Sequence, residues 1–111
     1  MMKCNVINKN KYFLIQVSGE VDMATSPSLR KAVLDCLKKQ KGVLVELASV
    51  SYIDSSGLAS LIEGYQKART QQLPFGLVKI PEVVQNVLEL ARLDRVFPLY
   101  KDMSTWEQTL R

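Results

Sequence analysis

The sequence contains no histidine. That absence removes the commonest general base, the usual zinc ligand and every Ser-His or Cys-His pair for nucleophilic catalysis. An enzyme built on this chain would have to use carboxylates, lysines or a bound cofactor, and none of these residues is spaced for such work. The chain therefore reads as a protein without catalysis, cofactor or metal. Cysteine is nearly as scarce: Cys4 and Cys36 are too few for a disulfide framework, and neither belongs to a C-x-x-C pair. Both are expected to pack as small apolar side chains, Cys36 on the buried face of a helix and Cys4 in a strand. No apolar run approaches the ~18 residues that cross a bilayer. Met1-Met2-Lys3-Cys4-Asn5 lacks the apolar stretch of a signal peptide. The expectation is no membrane insertion and a cytoplasmic location. A glycine-rich phosphate loop is missing too, which speaks against nucleotide binding.

What is present is ordinary for a soluble domain. The 111 residues suit one domain, 1–111, with 47% hydrophobic and 23% charged side chains. The net charge of +4 raises the question of nucleic acid. Along the chain, however, the basic residues are scattered. The densest group, Lys38, Lys39 and Lys41, ends a helix, where cations suit the helix dipole. No direct nucleic-acid contact is expected.

Periodicity gives the element order. Lys3 to Ile7 alternates weakly, and Asn8-Lys9-Asn10-Lys11 is a polar turn. Tyr12 to Val17 is aromatic and β-branched, so the two runs form a hairpin, with Gly19 ending the second strand. After the connection Glu20 to Thr25, Ser26-Pro27 reads as a capping hydroxyl before a first-turn proline. Leu29, Ala32, Val33, Cys36 and Leu37 then mark one face of an amphipathic helix. Val43 to Leu47 is nearly all apolar, as a central strand covered on both faces should be. Phe75 to Lys79 and Val96 to Tyr100 read as two further strands, the last at a sheet edge because of Pro98. Pro81 opens a third helix, and Ser104-Thr105-Trp106-Glu107 has capping-box spacing for a short fourth. The order β-β-α-β-α-β-α-β-α implies an α/β fold: a mixed, mostly parallel sheet with an N-terminal hairpin and about four helices, mainly on one face.

Between the central strand and the second helix stands Val50-Ser51-Tyr52-Ile53-Asp54-Ser55-Ser56-Gly57-Leu58. Asp54 is a good N-cap type, its carboxylate able to accept from the unpaired first-turn amides. Ser55 and Ser56 then lie on the exposed first turn, where the dipole favours added negative charge, and Gly57 does not shield them. Leu58, Leu61, Ile62 and Tyr65 form the buried face of this helix, while Gly57, Ser60 and Gly64 share another stripe. That stripe can serve close packing or the close approach of a partner. Tyr52 and Ile53 are expected to anchor the loop in the core, with Ser51 and Tyr52 at the edge of an interface as the alternative.

The element order and the Asp54-Ser55-Ser56-Gly57-Leu58 segment together resemble the STAS domain family, named for sulfate transporters and anti-sigma factor antagonists. Gly19-Glu20-Val21-Asp22 is similar to the family's G-E/D-h-D segment, Val43 to Leu47 to its central strand, and Pro81 to Phe97 to its last helix and strand. The resemblance implies an anti-sigma factor antagonist of a partner-switching system. In such systems the unphosphorylated antagonist binds an anti-sigma factor that is also a serine kinase, and so releases a sigma factor. The kinase phosphorylates the position matched by Ser55 (Ser56 is the alternative acceptor), and a phosphatase resets it. Asp22 matches an acidic residue beside the phosphosite. On this reading Asp22, Asp54, Ser55, Ser56, Gly57 and Ser60 contribute to partner binding. Ala59 departs from the glycine of many phosphorylatable members, and Glu46 from a common aspartate. Leu58-Ala59-Ser60-Leu61 is also similar to STAS subunits that dock on the ATPase of ABC-type lipid transporters, the alternative function. There a threonine often follows the aspartate, so Ser55 favours the switch.

Overall fold

A computed structural model describes residues 1–110. The elements are β1 (Lys3–Asn8), β2 (Tyr12–Val21), α1 (Ser26–Lys38), β3 (Gly42–Ile53), α2 (Ser55–Thr70), β4 (Phe75–Val78), α3 (Glu82–Leu90), β5 (Leu99–Tyr100) and α4 (Met103–Gln108). The strands lie in the order β1-β2-β3-β4-β5, with β1 and β2 antiparallel and the other neighbours parallel. The α/β sheet is thus mixed and mostly parallel, with β5 at an edge, as the sequence implied.

Strand alternation sends side chains to two different layers. Phe13, Ile15 and Val17 of β2, with Val43, Val45 and Leu47 of β3, face α1, α2 and α3, where they meet Leu29, Val33, Leu61 and Leu88. Tyr12, Leu14, Leu44 and Val78 face the other way and are covered by Trp106 of α4. Six residues are too few for a helix to persist alone. Trp106 anchors α4, standing edge-on to Tyr12 and Tyr100 with centroids 5.6 and 5.3 Å apart. The cap of α4 is Asp102, whose Oδ1 accepts from the Thr105 amide at 2.9 Å, not the expected Ser104. Glu107 accepts from the Tyr12 hydroxyl at 2.8 Å instead of closing a capping box.

The largest departure concerns strand length. Gly19 does not end β2; it continues it with φ +87°, in a place where a Cβ would lie 2.1 Å from the Met1 carbonyl oxygen. β3 runs on through the expected loop to Ile53 because it carries two irregularities. Gln16 faces Glu46 but Ser18 faces Ser49, and Gly19 faces Val50 but Glu20 faces Tyr52. Each adds one residue to β3 alone, as a β-bulge does. The inward residues of β3 are therefore Val43, Val45, Leu47, Val50 and Ile53, in place of a strict alternation. An added residue at each bulge keeps Val50 and Ile53 facing the core.

The start of α1 also differs from the capping expectation. Thr25 occupies the cap position, Pro27 lies in the first turn, and Ser26 is buried. The stripe of small residues on α2 packs against the rest of the fold. A Cβ on Gly64 would lie 2.5 Å from Val33 Cγ1 of α1, and one on Gly57 2.7 Å from side-chain atoms of Ile53 and Val21. Ser60 is buried, and its hydroxyl donates to the Ser56 carbonyl at 3.1 Å and the Ser26 carbonyl at 3.3 Å. Gly57 and Ser60 are thus buried, and they let α2 approach α1 and the sheet closely.

Two stability changes follow. Gly64→Ala forces a methyl into the α1–α2 contact and should lower unfolding free energy by about 1–3 kcal/mol. Arg92 closes α3 at φ +59°, with the Leu93 amide donating back to the Leu88 carbonyl at 2.8 Å. Arg92→Gly relieves that left-handed conformation and should raise stability by about 1 kcal/mol. Urea unfolding followed by circular dichroism measures both.

Candidate functional site

The ends of β2 and β3 build the site. Val21 and Ile53 are register partners, and the Asp54 amide donates to the Val21 carbonyl at 3.1 Å. Asp22 and Asp54 thus leave the sheet side by side, each opening the turn into the helix that follows its strand. Their carboxylates do the same kind of local work. Asp22 Oδ1 accepts from the Ala24 and Thr25 amides at 3.0 and 3.1 Å and from the Thr25 hydroxyl at 3.2 Å. That hydroxyl also donates to the Glu20 carbonyl and accepts from the Asp22 amide, both at 2.9 Å, tying the turn shut.

Asp54 is the N-cap of α2. Its Oδ1 accepts from the Ser56 and Gly57 amides at 2.9 and 3.2 Å and from the Ser56 hydroxyl at 2.5 Å. The Ser56 hydroxyl holds its carboxyl below the usual carboxylate range, against an upward push from desolvation that ranks next, with smaller downward help from the Gly57, Ser56 and Asp54 amides. The two serines are thereby distinguished. Ser56 is half-buried and its hydroxyl is engaged with the cap. Ser55 is exposed, and its hydroxyl is held by no hydrogen bond among the described residues.

The surface around Ser55 is acidic. Glu20, Asp22 and Asp54 are there, and neither 18–26 nor 49–60 contains a lysine or arginine. Two apolar side chains stand out beside them. Met23, at the tip of the Asp22 turn, is 81% exposed, and Tyr52 is 46% exposed. Ile53 is buried as expected, but Tyr52 is not, because the second bulge of β3 turns it away from the core. Met23 was missed in sequence because one methionine in a short polar connection carries no pattern. Two open surface cavities, of about 380 and 370 Å³, are lined by Glu89, Arg92, Asp94 and Arg95 and by Gln66, Arg69 and Thr70, and neither includes Ser55. No cluster of metal-ligating side chains occurs among the described residues. No described helix is long and apolar enough to cross a membrane. The geometry suits a protein-facing surface better than a reaction chamber.

The cap gives a pH-dependent test. Asp54 titrates at a lower pH folded than unfolded, so its ionised cap stabilises the fold above about pH 4. That contribution fades as pH falls through the folded value. Asp54→Asn keeps a capping side chain but should lose this part of the acid sensitivity. Asp54→Ala should lower the melting temperature at neutral pH by about 5 °C. Thermal unfolding of the three proteins between about pH 3 and 7 checks both outcomes.

Comparison with known proteins completes the site. The STAS domain family model matches residues 4–105. The anti-sigma-F factor antagonist RsfB of Mycobacterium tuberculosis is 27% identical over 99 residues, 88% of this chain and 80% of that protein. The crystal structure of an anti-sigma factor antagonist from Mycobacterium paratuberculosis superposes with a TM-score of 0.89 at 27% identity. That match covers 100% of this chain and 95% of the other. Unphosphorylated SpoIIAA, an anti-sigma factor antagonist, shares the fold with a TM-score of 0.81 at 13% identity, over 96% of each chain. With its Asp54-Ser55-Ser56-Gly57-Leu58 turn at the junction of β3 and α2, the chain belongs to the STAS domain family.

Proposed function

We propose that this protein is an anti-sigma factor antagonist whose binding to an anti-sigma factor serine kinase is switched by phosphorylation of Ser55. One observation carries the reading: Ser55 presents an unbonded, exposed hydroxyl at the start of a sixteen-residue helix, beside the carboxylates of Asp22 and Asp54. The names of the relatives support the antagonist role. On this reading the whole chain acts as one domain in the cytoplasm, catalyses no reaction itself, and is reset by a phosphatase.

A phosphate on Ser55 would add about −1.5 to −2 charge. A helix start usually offers an anion free amides. Here Asp54 already occupies those of Ser56 and Gly57, and the Leu58 amide donates to the Asp54 carbonyl at 3.0 Å. Of the first-turn amides only that of Ser55 is left for the phosphate, so most of its charge stays on the outside, beside segments 18–26 and 49–60 that carry no lysine or arginine. A partner shaped to a neutral hydroxyl beside Met23 and Tyr52 would meet repulsion and desolvation costing about 2–5 kcal/mol. The core beneath is undisturbed, so the switch acts on the interface and leaves the fold in place.

The test is a pull-down from native lysate with unmodified protein, Ser55→Ala and Ser55→Asp as baits. The first two should recover a small ATP-binding serine kinase and the third should lose it by more than about thirtyfold. Recovery of one transporter ATPase by all three baits would replace this reading with that of a transporter-docking subunit. Phosphopeptide mapping after incubation with the captured kinase should find the modification on Ser55 and not on Ser56.

A further inference from the structure

The chain gathers cations at the end of the sheet opposite Ser55, where the parallel strands begin. Lys9 and Lys11 are exposed in the β1–β2 turn, and Lys38 and Lys39 at the end of α1. Lys41 joins the two turns: its ammonium donates to Asn8 Oδ1 at 3.2 Å. The Lys39 and Lys41 ammoniums stand 5.4 and 5.2 Å from the centroid of the buried Phe13 ring. The turn after α2 adjoins the same end, since the Val43 amide donates to the Pro74 carbonyl at 3.0 Å. Its helix brings the exposed Lys67 and Arg69 in the last turn.

Little opposes this charge. The two ion pairs among the described residues, Arg30–Glu63 and Lys31–Asp35, use none of these cations. Among the described residues two carboxylates adjoin the cluster: Asp35, held by Lys31, and Glu107, which accepts from Tyr12 and shares a shallow cavity with Lys9 and Lys11. Glu89 and Asp94 lie with Arg92 and Arg95 about the α3–β5 turn at the same end of the sheet. Helix dipoles account for cations at the ends of α1 and α2. They do not account for Lys9, Lys11 and Lys41, which lie on turns and strand ends.

We propose that this pole docks the protein on an anionic phospholipid bilayer, held by charge and without insertion. The composition of the pole selects that partner. None of the exposed large apolar side chains sits in these three turns. Leu90 and Val96 are exposed about the α3–β5 turn at the same end of the sheet, set apart from the lysines, so charge and not insertion supplies the binding. Its aromatic, Phe13, lies beneath the lysines and offers no face for a base to stack on. All but one of its cations are lysines, point charges in place of the bidentate forks that read bases. A sheet of anionic headgroups asks only for several positive charges at one end of the molecule, each strengthening binding roughly fivefold. The opposite end, with Ser55, stays turned to water.

The experiment is co-sedimentation of the full-length protein with vesicles of roughly 3:7 phosphatidylglycerol to phosphatidylcholine, against pure phosphatidylcholine. Binding is expected only to the anionic vesicles at about 0.1 M salt, with release at about 0.5 M. Lys39→Glu/Lys41→Glu should weaken it by more than about twentyfold. Lys3→Glu/Lys101→Glu carries the same change in net charge away from the pole and should weaken it far less. Matching melting temperatures for the two variants separate lost docking from lost folding. Absence of binding to anionic vesicles overturns the proposal, and so does equal loss in both variants. Retention of a duplex DNA oligonucleotide at salt that releases the vesicles overturns it in favour of nucleic acid. None of these readouts depends on phosphorylation of Ser55.

Discussion

The parallel pairing of β2 with β3 is the contact on which the rest of the molecule is hung. These are the two longest strands, and Ile15, Val43, Val45 and Leu47 between the helices and the sheet are fully buried. Because β3 takes two extra residues where β2 takes none, the pair stays in register to its very end. The last bond of that ladder, from the Asp54 amide to the Val21 carbonyl, sets the two aspartate turns beside each other. A shorter β3 would leave Asp54 and Ser55 on a free loop, and the position of α2 would be open.

Rigidity beneath the serine comes from small residues. Gly57 and Gly64 allow contacts that a single methyl would block, and Ser60 satisfies its buried hydroxyl within the interface. A helix seated this tightly has little room to respond to charge at its first residue. The carboxylate of Asp54 contributes twice: it fixes the start of α2, and it occupies two of the amides that would otherwise help neutralise an anion there. Charge added at Ser55 is thus kept visible to whatever approaches that surface.

Charge is divided between the two ends of the sheet. Glu20, Asp22 and Asp54 gather where β2 and β3 finish, while Lys9, Lys11, Lys38, Lys39 and Lys41 gather about the two turns where those strands start, with Lys67 and Arg69 at the end of α2 beside them. Parallel topology produces this sorting, because all β-to-α turns fall at one end and all α-to-β turns at the other. A helix also prefers acids at its first turn and bases at its last, so its dipole reinforces the division.

The sequence by itself determined the order of the elements, the hairpin, the cap at Asp54 and the edge position of the last strand, although that strand begins only after Pro98. Each of these rests on local physics: periodicity, a side chain that can reach its own backbone, a missing amide hydrogen. The extent of β2 and β3 was decided only in the tertiary structure, since a bulge breaks the alternation that local reading relies on and shows itself only against a partner strand. The same holds for the start of α4, where Asp102 caps in place of Ser104, and for that of α1, where Thr25 takes the cap position without a side-chain cap bond because its hydroxyl is turned back to Glu20 and Asp22. Burial of Gly57 and Ser60, and exposure of Met23 and Tyr52, were likewise settled by which surfaces α1 and the sheet end cover. The lysine pole is the clearest case. Lys9, Lys11 and Lys41 are far from a cluster along the chain, and it is the antiparallel return of β1 beside β2, with the start of β3 next to it, that brings them together.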